Sequence, residues 1–140
     1  RSGGRPRPFD ARPQATYIPP VPLSETLLDF AEPVLAALEE PPPDELLERL
    51  MMIVVTIWNA HAMALPVWGE PEHLSSLRDT VYQQGSPAEL AELFELLSRR
   101  REQRFANDPR VVGDHRISRT DGSFRLSCDG KLPRRSLPPR

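Results

Sequence analysis

The chain has 140 residues, 39% hydrophobic and 27% charged; a chain of this size hides roughly two-thirds of its unfolded surface and needs neither disulfides nor metal to build a core. Its single cysteine, Cys128, excludes an internal disulfide framework, and the N-terminal RSGGRPRPFDARPQ has no apolar segment of a secretory signal, so the reading is a soluble, cytoplasmic protein. The net charge of −2 is segregated: residues 1–22 hold four Arg against one Asp, residues 23–97 two Arg against fourteen acids, and residues 98–140 twelve basic residues against five acids.

Basic ends on an acidic body suit either folding back onto that body or engaging an acidic partner. Residues 1–22 read as an extended proline-rich arm, in which YIPPVP favours polyproline II and Pro19 and Pro22 make a PxxP spacing. The domain then runs over residues 23–130.

The first helix is expected over about 24–40, with Ser24 as N-cap and Leu27, Phe30, Ala31, Val34, Leu35 and Leu38 at helical spacing. Pro33 falls inside this pattern and predicts a kink or split near Asp29–Glu32, because it removes a backbone donor. Pro41-Pro42-Pro43 ends the helix.

The second helix is expected over 44–65. Its run Leu50–Leu65, LMMIVVTIWNAHAMAL, is apolar apart from Thr56, Asn59 and His61. It falls short of the roughly 20 apolar residues a membrane span needs, so it reads as a buried central helix rather than a membrane anchor. A third helix is expected over 71–84, ended by Gly85. A fourth is expected over 87–106, opened by a capping box at Ser86-Pro87-Ala88-Glu89. Arg99, Arg100, Arg101 and Arg104 crowd its last turns, where cations suit the helix dipole.

Over 111–128 the period changes. HRISRT-DG-SFRLSC reads as a hairpin with Asp121-Gly122 as a two-residue turn. That turn pairs Thr120 with Ser123, Arg119 with Phe124, Ile117 with Leu126 and His115 with Cys128. One face then holds His115, Ile117, Arg119, Phe124, Leu126 and Cys128. A lone hairpin is marginal in water, so its apolar face must dock on the helices or on another chain. Residues 131–140 form a basic, proline-rich tail. The fold class is thus mainly α: a four-helix bundle-like domain, a C-terminal β-hairpin and two Pro/Arg-rich tails.

The chemistry-bearing residues are few. Asn59 and His61 lie about 200° apart around their helix and cannot address one small substrate together; each reads as a polar group satisfied near the core. A metal site would need His61, His73 and Glu70 or Glu72, but no ligand-pair spacing supports it. Neither a nucleophile elbow nor a phosphate loop occurs. The reading is therefore a non-catalytic accessory or adaptor subunit without cofactor or metal. Tyr17, Ile18, Pro19 and Pro22 of the arm and Ile117, Phe124 and Leu126 of the hairpin would engage a larger protein or a second copy. The alternative is a nucleic-acid-associated protein using Arg99, Arg100, Arg101, Arg104, Arg116 and Arg125. A third reading is a small metal-dependent enzyme centred on His61 and His73.

Overall fold

Described in this computed structural model are residues 21–38, 42–120 and 123–133. The elements run α1 (Leu23–Leu35), α2 (Asp44–Met63), α3 (Glu72–Tyr82), α4 (Ala88–Arg104), β1 (Val111–Thr120) and β2 (Ser123–Lys131). Among the described residues there are four helices and a C-terminal antiparallel hairpin, in the expected order. Tyr17, Ile18 and Pro19 of the arm, the Asp121-Gly122 turn and residues 134–140 of the tail fall outside the described residues.

α1 starts one residue early and ends about five early. Pro22, not Ser24, takes the N-cap, with no side-chain cap, and its carbonyl accepts from the Thr26 N–H at 3.0 Å. Pro33 does not split the helix, which is assigned unbroken around it. The reason lies in α4. A proline cannot donate to the carbonyl four residues back, here Asp29. Arg100 supplies the missing donors: its Nε and Nη2 reach that carbonyl at 3.2 and 2.7 Å, while Nη2 also meets the Asp29 carboxylate at 3.0 Å. The helix thus continues across its proline under a guanidinium from another element.

α2 meets α1, α3, α4 and β1. Among the described residues it is the helix long and apolar enough to cross a membrane by length and composition, yet ten of its twenty residues are buried inside the protein. It is not covered all round. Met52 is 59% exposed and Thr56 is also exposed, its hydroxyl donating to the Met52 carbonyl at 2.8 Å. With Glu45, Glu48 and Arg49 these residues form one solvent-facing stripe at helical spacing.

α3 turns into α4 through Gly85, whose φ of 96° is the left-handed conformation glycine adopts without strain. The expected capping box does not form. Ser86 instead sends its hydroxyl back to the Thr80 carbonyl at 2.9 Å, closing the end of α3, and Pro87 becomes the N-cap of α4. The core joins Leu27 and Phe30 of α1, Leu47, Met51, Val54 and Trp58 of α2, Val81 of α3, and Phe94 and Leu97 of α4.

The hairpin has the register read from its turn: Thr120 with Ser123, Arg119 with Phe124, Ile117 with Leu126 and His115 with Cys128. One feature was not foreseen. Between Val112 and His115 the register shifts, so that Gly113 and Asp114 face a single residue, Asp129. This bulge resets the alternation of faces. Val112 and Ile117, of opposite parity, therefore both turn inward, Val112 to full burial and Ile117 to partial burial. Gly130 sits where β2 passes α1, and a Cβ there would lie 2.9 Å from a methyl of Leu23.

Candidate functional site

The polar residues concentrate where α2, α4 and the start of β1 converge. Trp58 is fully buried and packs edge-on to Phe30 and Phe105, with centroids 5.2 and 5.6 Å away. Its indole N–H donates to the Arg110 carbonyl at 2.8 Å. The guanidinium of Arg101, 1% exposed, lies 3.8 Å above the indole and donates to the carbonyls of Phe105 and Asp108. A cation enclosed this way is held by a π face and two backbone dipoles. Beside it, Asp108 takes Arg110 in a fork, at 3.0 and 2.7 Å, and Arg110 reaches on to the Val21 carbonyl at 2.8 Å and the Thr26 hydroxyl at 3.1 Å. Trp68 donates to the Pro109 carbonyl at 2.6 Å.

These bonds share one effect. The segment from Phe105 to Arg110 has no helix or strand ladder of its own before β1 begins, so side chains from α2, α4 and the loop between α2 and α3 satisfy its backbone. Asn59 completes the series: its amide donates to the Val112 carbonyl at 3.0 Å and accepts from the Val112 N–H at 2.7 Å, as a neighbouring strand residue would. The role of Arg101 was open to reading from spacing. It follows Phe94 and Leu97 at seven and four residues, on the buried face of α4.

His61 is buried, with Nε2 2.9 Å from the Ser98 hydroxyl. Burial, helped by the positive charges of Arg101 and Arg78, lowers its pKa from 6.5 to about 4. The ring is neutral at pH 7 and exchanges one hydrogen bond with a buried serine. Cys128, opposite His115, has its thiol pushed upward, first by burial and then by the Asp129 charge, which disfavours the thiolate a nucleophile needs.

The residues read as metal ligands divide. Glu70, Glu72 and His73 bring one ligand atom each within 4.8 Å of one another, on an exposed loop and helix start, with His73 Nε2 3.1 Å from Glu70. His61 is not in that group. Likewise, the arginines read as a nucleic-acid surface are dispersed. Arg101 is buried, and Arg100 and Arg104 meet Asp29 at 3.0 and 3.5 Å; outside that set, Arg110 is buried too, and Arg119 pairs with Asp44 and donates to the Pro42 carbonyl. Arg99, Arg116 and Arg125 stand exposed.

The hairpin residues read as partner-binding serve the chain's own core. Leu126 is 5% exposed within it, and Ile117 and Phe124 pack partly buried against it. Of the arm residues, Pro22 is described and exposed. Several hollows lie along β1. One of about 480 Å³ is lined by Asp114, His115, Arg116, Ser127, Cys128 and Asp129 of the two strands, and two more lie toward α2. Of these two, one of about 150 Å³ is lined by Asp44, Leu47, Glu48, Ile117 and Arg119, and one of about 340 Å³ by Glu48, Met52, His115, Arg116 and Ile117. Glu48 and Ile117 line both, which sets the two side by side in the groove between α2 and the strand. No residue spacing signals it, because it depends on where α2 crosses the hairpin. Comparison with protein-family models, curated proteins and solved structures returns no match to this chain.

Proposed function

We propose that the chain is a non-catalytic accessory subunit: a four-helix bundle-like scaffold, with α2 as its axis, that engages a larger protein through its terminal segments. The contacts of α2 with every other helix and with β1 support the scaffold. One observation carries the functional reading: the residues best suited to chemistry are engaged in holding the fold. His61 is bonded to Ser98 and held neutral, Asp108 is forked on Arg110, and Arg101 is enclosed over Trp58. The hairpin's inner face is occupied by the chain's own helices, which transfers the burden of recognition to the arm, Tyr17, Ile18, Pro19 and Pro22, and to the groove beside β1.

The test is co-purification from the source cells with the tagged full chain and with chains lacking residues 1–20, 134–140 or both. Removal of the arm should abolish capture of the partner while the melting temperature stays within about 2 °C, since surface changes of this kind shift stability by a few tenths of a kcal/mol. A partner retained after both deletions would reject the proposal.

A further inference from the structure

Where α2 runs beside β1, the hairpin keeps an open edge. In an antiparallel hairpin closed by two residues, the pair beside the turn is hydrogen-bonded and the pairs then alternate. Thr120, Ser118 and Arg116 accordingly point their backbone groups at β2, and Arg119, Ile117 and His115 point theirs away from it. α2 bounds this edge at both ends: Asn59 takes the N–H and the C=O of Val112, and Asp44 holds the Arg119 side chain. Between them, among the described residues, no backbone group pairs with the outward N–H and C=O of His115 and Ile117. The hollow of about 340 Å³ lies at this stretch. It is lined by His115 and Ile117 and also by Arg116, which belongs to the opposite face, so it opens across the edge of the strand. Its far wall is α2, with Glu48 and the exposed Met52.

We propose that this edge takes one extended segment of a partner protein as a short antiparallel strand whose consecutive residues are basic, acidic and apolar. The outward groups of His115 and Ile117 alternate donor and acceptor along the edge, which a strand satisfies and a helix does not. Pairing then sets the side chains. The residue opposite Ile117 lies on the inner face beside Glu48, where a basic side chain lays its stem on Ile117 and its charge on the carboxylate. The next residue, opposite Arg116, stands on the outer face, where an acid meets an exposed guanidinium. The third, opposite His115, returns to the inner face over Met52, an adaptable apolar surface. A second copy of this chain fits the edge poorly. The two-fold that sets two β1 edges antiparallel brings both α2 helices to one seam, and the Asn59 bonds to Val112 place α2 on that side already. The proposal rests on the accessory-subunit reading and gives its groove a partner chemistry. Its test uses a peptide and the full chain, so its failure leaves the arm-deletion result standing.

The probe is a blocked peptide, TTKEVTT, titrated into the purified full chain and followed by amide shifts and amide exchange. The His115 and Ile117 amides should shift saturably, with half-saturation below about 1 mM, and at saturation should exchange about tenfold more slowly. Val112, whose amide Asn59 already holds, should stay unchanged. Arg116→Glu should weaken this peptide about fivefold and favour TTKKVTT by a similar factor, with the melting temperature unchanged. A TTKEVTT peptide N-methylated at its Lys and Val should not bind, because it lacks the donors the edge requires. No shift up to about 2 mM peptide, or binding indifferent to N-methylation or to the charge exchange, would overturn the proposal. Shifts of the same amides that grow with protein concentration and without peptide would assign the edge to a second copy and overturn it as well.

Discussion

Arg101 carries a full charge in one of the most enclosed positions of the molecule, and its partners include two backbone dipoles and an aromatic face. Removing such a group leaves the Phe105 and Asp108 carbonyls without their donor and a void over Trp58. Arg101→Ala should therefore lower the unfolding free energy by about 2–4 kcal/mol in urea titration, since a buried acceptor left without its donor costs about 1–3 kcal/mol and the void adds to it; a loss below about 1 kcal/mol would show that water replaces the guanidinium. His61 gives a pH signature. Its folded pKa, near 4, lies below the ordinary 6.5, so the unfolded chain binds the proton first. The stabilisation is complete above pH 6.5 and is lost as pH falls toward 4, by at most about 3 kcal/mol. His61→Gln should flatten that part of the stability curve, measured by urea unfolding between pH 7.5 and 4.5. An unchanged slope would assign the loss to other groups.

Between elements, the fold depends on backbone groups that one segment leaves open and another fills. Pro33 and Arg100 are the clearest case. Arg100→Leu should cost about 1–2 kcal/mol, because the Asp29 carbonyl then lacks both its helical and its borrowed donor. In a Pro33→Ala background, where an N–H returns to position 33, the cost should shrink. Equal costs in the two backgrounds would separate the residues. The same view explains what the sequence made legible. The hairpin register was readable because Asp121-Gly122 sets its phase and the apolar residues alternate from it. The bulge was not, because a strand glycine, Gly113, only hints at one, and the burial of Val112 depends on α2. Ser86 met every local rule for a cap of α4, yet its hydroxyl found the Thr80 carbonyl across the Gly85 turn. Met52 falls in the run Leu50–Leu65, which reads as buried because its neighbours are apolar; its 59% exposure follows from where the hairpin ends and the groove begins.

Across the whole molecule, the charge pattern takes on a different meaning once the arginines are located. The basic run of α4 clamps α1 and the α4–β1 segment more than it coats a surface, since Arg100 and Arg104 hold Asp29 and Arg101 lies inside. Arg110 and Arg119 fasten the two ends of β1, one to Asp108 and Val21, the other to Asp44. The candidate site was legible to the extent that Asn59 and His61 read as satisfied polar groups. The groove and the contacts around Trp58 were not, since they join residues roughly fifty to seventy positions apart.

The hairpin folds onto its own helices, and the proposed recognition falls to the terminal segments and the groove beside β1. Amide exchange of the isolated chain at low micromolar concentration measures this directly. Ser118 and Arg125, paired across the hairpin, should be protected in the dilute monomer to within about tenfold of Val54 and Trp58 in α2, since one cooperative unit opens with one free energy. Hairpin amides that exchange several hundredfold faster than α2, or that gain protection only as concentration rises, would show that the strands need another chain to hold them.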